Sequence, residues 1–202
     1  MDKVDLRKDD RLVLLGDLVN RGPESRRVVE LARRHATVSL LGNHELRLLN
    51  WRKTDDPSHL KAYDYATIEQ LDNRCWDYLA RMPLTYEDRK SGLVFVHGGF
   101  LPGRPWRTQP ARVVTRIQVI GRDGEPHKRS DAPGCPHWAR KWRGPAYVVY
   151  GHTPRRRIVA TRWTLGIDTG CVLGGLLTAV IFPGRKIVQV KAHKTYYQGK
   201  NW

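Results

Sequence analysis

The chain has 202 residues, 40% of them hydrophobic, enough to bury a core and read most simply as one domain over residues 1–202. Its 36 Lys and Arg against 20 Asp and Glu leave a formal charge of +16, so anionic partners are expected: nucleotides, phosphoproteins, nucleic acid or acidic membranes all answer that field, and a solvated basic surface is the plain alternative. Three irregularly spaced cysteines (Cys75, Cys135, Cys171) fit a reducing compartment better than a disulfide framework, the opening MDKVDLRKDD is charged where a signal peptide would need an apolar stretch, and the longest apolar run (171–182) is too short to span a bilayer, so a cytoplasmic protein without a membrane anchor is expected.

In chain order, the run LVLLGD predicts a strand over 12–15 that ends in Gly and Asp. A helix over 24–35 follows Pro23 and sets Val28, Val29, Leu31 and Ala32 toward one face. VSLLGN is the next strand, leading into a helix over 44–51, and a third helix is expected over 65–82. LVFVHGG, YVVYGH and LGIDTG are further buried strands, each closing on Gly, His or Asp. Between them, 102–145 is rich in Pro, Gly and Arg, with a strand expected over 113–120, and reads as an excursion over a binding site. Strands alternating with helices in the first half and strand-rich sequence after 93 predict a mixed α/β sandwich.

Open α/β sheets gather ligands at the carboxyl ends of their strands. Asp17, Asn43, His97 and His152 all occupy that position. If their strands are neighbours, a carboxylate, an amide oxygen and two imidazoles meet, a set suited to Mn, Fe, Zn or Co. Singly, each has a bland reading as a turn cap, a helix start or a loop histidine. Jointly, GD, GNHE, HGG and GHT put glycine beside every candidate ligand, where the backbone turns tightly.

The segments GDLVNRGPES, LLGNHE, FVHGG, VVYGHTP and GIDTGCVLGGLLTA, in that order over 11–182, resemble the successive motifs of calcineurin-like metallophosphoesterases. The resemblance is to the phosphoprotein phosphatase superfamily, its bacterial serine/threonine phosphatases and its diadenosine tetraphosphatase relatives. It implies a four-layer α-β-β-α sandwich of two mixed sheets and a two-metal site, manganese foremost, with Asp17 bridging both metals and Asn43, His97 and His152 completing the second. Metal-activated water then hydrolyses a phosphoanhydride of a dinucleoside polyphosphate or a phosphomonoester of a phosphoprotein. By the same likeness His44 is the general acid, Arg21 the phosphate clamp, Arg116 a second clamp, and Asp168 a support behind the site.

Two departures carry expectations of their own. Members of that superfamily open with a strand ending in Asp-x-His, whereas here the first strand belongs to the second motif and Asp2, Asp5, Asp9 and Asp10 have no accompanying His. The first strand and half of the first metal site are therefore expected to be missing, giving single-metal occupancy and an exposed sheet edge. A truncated product, an upstream segment outside this sequence and a degenerate relative are equally open. Asn20 stands where protein phosphatases carry an Asp that orients the acid; with RGPES and DTGCVLGG it leans toward the tetraphosphatases, while HGG is similar to the protein phosphatases. Two further readings stand beside hydrolysis: a non-catalytic phosphate or nucleotide binder, and a nucleic-acid-binding domain using Trp106, Trp138, Trp142 and Trp163 near arginines, which no motif supports.

Overall fold

Apolar runs that close on glycine or a polar residue become short strands in a computed structural model that describes residues 2–199. Met1 and residues 200–202, the ends of the expected domain, lie outside the described residues. The elements in order are β1 (Val13–Leu14), α1 (Ser25–His35), β2 (Val38–Ser39), α2 (Asn43–Thr54), α3 (Ala62–Gln70), α4 (Asn73–Ala80), β3 (Thr85–Asp88) and β4 (Leu93–Val96). They continue with α5 (Ala111–Val114), β5 (Val119–Ile120), β6 (Pro126–His127), α6 (Trp138–Lys141), β7 (Tyr147–Tyr150), β8 (Val159–Ala160), β9 (Thr164–Gly166), β10 (Leu176–Ile181) and β11 (Lys186–Lys191).

A mixed five-stranded sheet runs in the order β3-β4-β7-β9-β8, with parallel inner pairs and antiparallel outer ones. The expected α/β class holds. Parallel pairing of β4 and β7, with Val96 opposite Tyr150, brings His97 and the Gly151-His152 turn out at the same edge. Parallel pairing of β1 and β2 does the same for the loops that carry Asp17 and Asn43. The second expected sheet is present only as separate pairs: β1–β2, and the hairpin β10–β11, which leaves Leu177, Ile187 and Val190 exposed. Before β1 the described residues form a short 3-10 turn, Asp2–Val4.

Three expected elements differ. The third helix is two, because the Asp72 carboxylate accepts from the Cys75 N–H at 2.9 Å and starts a new helix. On α1, Ser25, Val29 and Ala32 are buried at i, i+4, i+7, so Val28 and Leu31 fall outside the stripe and face solvent. The strand expected over 113–120 is a turn of helix, α5, followed by β5; Val113, Val114, Ile117 and Val119 are buried all the same.

The stretch 102–145 folds down as a lobe. Trp106, Trp138 and Trp142 pack with Phe100 against Val94, Val96, Val148 and Tyr150 of the central strands. Those three indoles are buried, which removes them as the stacking surface that the nucleic-acid reading required. A second cluster joins Val29 of α1, Leu48 of α2 and Cys75, Trp76 and Leu79 of α4. Cys171 is half-buried.

Gly99 shows how tightly the lobe is seated, since its φ is +147° and an added Cβ would lie 2.0 Å from the Trp138 ring. Gly99→Ala is expected to destabilise the fold by about 2–3 kcal/mol, read as a lower urea midpoint; an unchanged midpoint would mean that Trp138 is not packed against this backbone.

Candidate metal and phosphate site

The site forms where four strand-end loops are pressed together. Gly16, at φ +85°, leaves no room for a side chain: a Cβ there would stand 2.7 Å from the Gly42 nitrogen and 2.8 Å from the Leu40 oxygen. Asp17, Asn20, Arg21 and His152 all have positive φ, at 55°, 77°, 64° and 64°. Non-glycine residues adopt that region at a cost, and its concentration here marks a backbone held by its surroundings.

The holding group is Glu45, in the first turn of α2 and fully buried. Its Oε2 accepts from the N–H groups of Asp17 at 3.0 Å and Gly42 at 2.9 Å. Its Oε1 accepts from Leu18 at 2.6 Å and Val19 at 3.2 Å. Burial, with the Asp17 charge second, pushes the Glu45 carboxyl up to about 7, and the amide donors act in the opposite sense.

His97 lies at the centre of the four candidate ligands. Its Nδ1 donates to the Leu15 carbonyl at 2.6 Å, which aims Nε2 into the site, the tautomer a metal ligand needs. Around that Nε2 stand His152 Nδ1 at 3.1 Å, Asn43 Oδ1 at 3.2 Å and Asp17 Oδ1 at 3.4 Å. Ligands about 2.1 Å from a cation lie about 3.0–3.4 Å from one another in octahedral or tetrahedral shells, and each of the three stands at that spacing from His97 Nε2. Ligand atoms of Asp17, His97 and His152 all fall within 4.8 Å of one another.

Electrostatics bear the marks of that crowding. Burial opposes a charge on His97, but the Asp17 carboxylate outweighs it and raises the imidazole to about 9. Burial and then the charge of His97 push His152 down to about 3. Desolvation works to raise Asp17, yet His97 and His44 hold it well below the usual carboxylate range. Each charge is balanced only by its neighbours.

Beside the ligands runs a second buried network. Asp64 takes both arms of Arg47, at 2.7 and 2.8 Å, and the Asn20 amide nitrogen at 2.8 Å. A carboxylate facing Asn20 only accepts, so the atom turned toward it is the nitrogen, whose other hydrogen meets His44 Nδ1 at 3.0 Å. Arg47 offers a further donor to the same Nδ1 at 3.4 Å. His44 therefore accepts through Nδ1 and carries its proton on Nε2, 3.9 Å from Asp17 Oδ2. Burial, with Arg21 and Arg47 adding to it against Asp17, lowers His44 to about 4 and keeps it neutral.

Arg21 is clasped between rings, its guanidinium carbon 5.2 Å from the Tyr63 centroid and 4.4 Å from that of Tyr197. Arg116 lies across the site, on a cavity wall that also carries Asn43 and His152. Asp168 Oδ1 accepts from the Gly170 N–H at 3.0 Å and so caps its own turn.

Five participants escaped sequence reasoning. Glu45 stood inside the quoted GNHE, and its position three residues after a glycine N-cap was the available signal. Arg47 is one helical turn beyond His44, while Asp64, Tyr63 and Tyr197 carry no local mark of their role.

Residues 2–156 match the calcineurin-like phosphoesterase family. Among curated proteins, the chain is 28% identical over 210 residues to a bis(5'-nucleosyl)-tetraphosphatase PrpE (asymmetrical) of Geobacillus sp. strain WCH70, covering 94% of this chain and 82% of the relative. The PrpE of Anoxybacillus flavithermus strain WK1 is 30% identical over 210 residues, at 94% and 82% coverage. The crystal structure of a candidate diadenosine tetraphosphatase superposes with a TM-score of 0.82 at 33% identity, covering 95% of this chain and 85% of its own. A metallophosphoesterase from Sphaerobacter thermophilus shares the fold at a TM-score of 0.58 and 19% identity, over 95% of this chain and 81% of that one.

Glu45→Gln tests the stitch between the loops, because one amide oxygen can still accept while the new NH2 faces two N–H donors. A loss of about 2–4 kcal/mol is expected, measured by denaturant unfolding; wild-type stability would mean that the loops are held by other means.

Proposed function

The chain belongs to the calcineurin-like phosphoesterase family, and from that premise we propose that it hydrolyses the phosphoanhydride bonds of a dinucleoside polyphosphate, with phosphomonoesters such as phosphoprotein as poorer substrates. The observation that carries this reading is the convergence of Asp17, Asn43, His97 and His152 on one point at coordination spacing. Asp17, Asn43, His97 and His152 would hold a divalent cation there, manganese foremost, which would supply Lewis acidity toward a phosphoryl oxygen and activate water. The described residues gather one such cluster, which supports one cation per chain.

The protein's own groups are assigned around it. Arg21, kept in place by its two tyrosines, grips the non-bridging oxygens of the phosphoryl group under attack. Arg116 approaches the same group from the cavity side. His44, oriented by Asn20, donates a hydrogen bond from its Nε2 to the departing oxygen, at the place a general acid occupies. A hydrogen bond there suits a leaving group that is already a nucleotide phosphate, which departs without a proton, and suits the alkoxide of a phosphoserine poorly. The names of the tetraphosphatase relatives support the same substrate class.

Where the cytoplasm is concerned, the support is three free cysteines, and no helix among the described residues is long and apolar enough to cross a membrane. The single ligand cluster also favours a second reading, a phosphate or nucleotide binder that holds one cation without turnover.

With Mn²⁺ supplied, Asp17→Asn is expected to slow hydrolysis of diadenosine tetraphosphate and p-nitrophenyl phosphate at least about 100-fold and to abolish the rise in Tm that Mn²⁺ gives the wild-type chain. Equal rates in the two proteins would sink the metal chemistry. Binding of tetraphosphate by the wild type without turnover would pass the case to the binder. For Arg21→Ala, kcat/KM is expected to fall about 10–100-fold through the lost paired contact; an unchanged value would remove Arg21 from the phosphate.

A further inference from the structure

A cavity of about 290 Å³ opens directly off the ligand set, with Asn43 and His152 in its wall. At that size it accommodates part of a dinucleotide rather than the whole. Its remaining walls carry Arg47, Lys61, Arg116 and Lys128. Arg47 is neutralised by Asp64 at 2.7 Å. Lys61, Arg116 and Lys128 form no ion pair with any acidic group among the described residues. Three cations therefore line one cavity without an acidic partner among the described residues.

Such an arrangement costs energy in the free protein. The crowding is visible at Lys61, where burial, and then the charges of Arg47, Lys128 and Arg21, lower the ammonium below its ordinary value. Structural burial of an apolar stem is no explanation, because Lys61 and Lys128 are both exposed residues that line the cavity. An anion that enters the space relieves the repulsion, and one with several charges in a row relieves most of it.

We propose that this cavity is a distal phosphate subsite, in which Lys61 and Lys128 hold the phosphates next to the one under attack. The inference rests on the proposed function and deepens it: a phosphoryl group at Asp17, Asn43, His97 and His152 continues along a polyphosphate chain into the cavity, past Arg116. A phosphomonoester has no further phosphate to put there. The lysines thus select polyphosphates, while the ligand set and Arg21 act on every substrate alike.

The test compares wild type with Lys61→Ala, Lys128→Ala and the double variant, all with Mn²⁺. Calorimetric binding of inorganic tripolyphosphate and of orthophosphate is measured beside hydrolysis of diadenosine tetraphosphate and p-nitrophenyl phosphate. Each substitution is expected to weaken tripolyphosphate about tenfold, as loss of one charge-assisted contact should, and to shift orthophosphate less than about twofold. The ratio of kcat/KM for tetraphosphate over nitrophenyl phosphate is expected to fall by a similar factor, through KM. Equal weakening of both anions, or tripolyphosphate binding unchanged in the double variant, overturns the subsite. The binding arm needs no turnover, so a wild type that fails to cleave tetraphosphate counts against the proposed function and leaves the cavity to be decided by tripolyphosphate.

Discussion

One buried carboxylate holds this site together. Glu45 takes four backbone N–H groups from two chain segments, the Gly16–Val19 loop and the turn before α2. Two of those amides, on Val19 and Gly42, are buried and would otherwise be unsatisfied, and an orphaned buried donor costs as much as a good hydrogen bond returns. With them paired, Asp17 is kept in a left-handed conformation that it would otherwise leave, and its Oδ1 receives the His44 N–H at 3.2 Å. The position of every other ligand is measured from there.

Around that stitch the charges are arranged in opposed sets. Asp17 and His97 stabilise each other's ionised forms, while His152 is driven neutral between them. A cation entering the set would take over the part that the His97 proton plays toward Asp17, so the site is already organised for positive charge at its centre. Beyond it, Asp64 anchors Arg47 and Asn20 and, through Asn20, turns the His44 proton toward the reaction space. The outer ring is cationic, its Lys61, Arg116 and Lys128 without an acidic partner among the described residues.

Folding errors in the sequence reading share a cause. Apolar residues at 113–120 looked like a strand because they are buried, yet burial is shared by the α5 turn and β5, and periodicity over so short a run does not separate them. The break between α3 and α4 hinges on one Asp72 cap, a local signal outweighed by the continuous helical pattern on either side. The tryptophans of the basic lobe looked available for stacking, but a shape complementary to Phe100 draws three of them into the core. Each of these choices depends on which surface a side chain meets, and that surface comes from distant parts of the chain.

What the sequence by itself determined was the α/β class, the strands that end in Gly, Asp, Asn or His, and four candidate donor types at four strand ends, since strand periodicity and tight turns are local properties. Tertiary structure alone decided that β1 lies beside β2 and β4 beside β7, which makes the four ends one place. It also decided the protonation of His44, the clasp of Tyr63 and Tyr197 on Arg21, and the cavity of unpaired cations. Those features are made of contacts between residues dozens of positions apart, and their energies depend on distance and exclusion of water, neither of which is written in the order of residues.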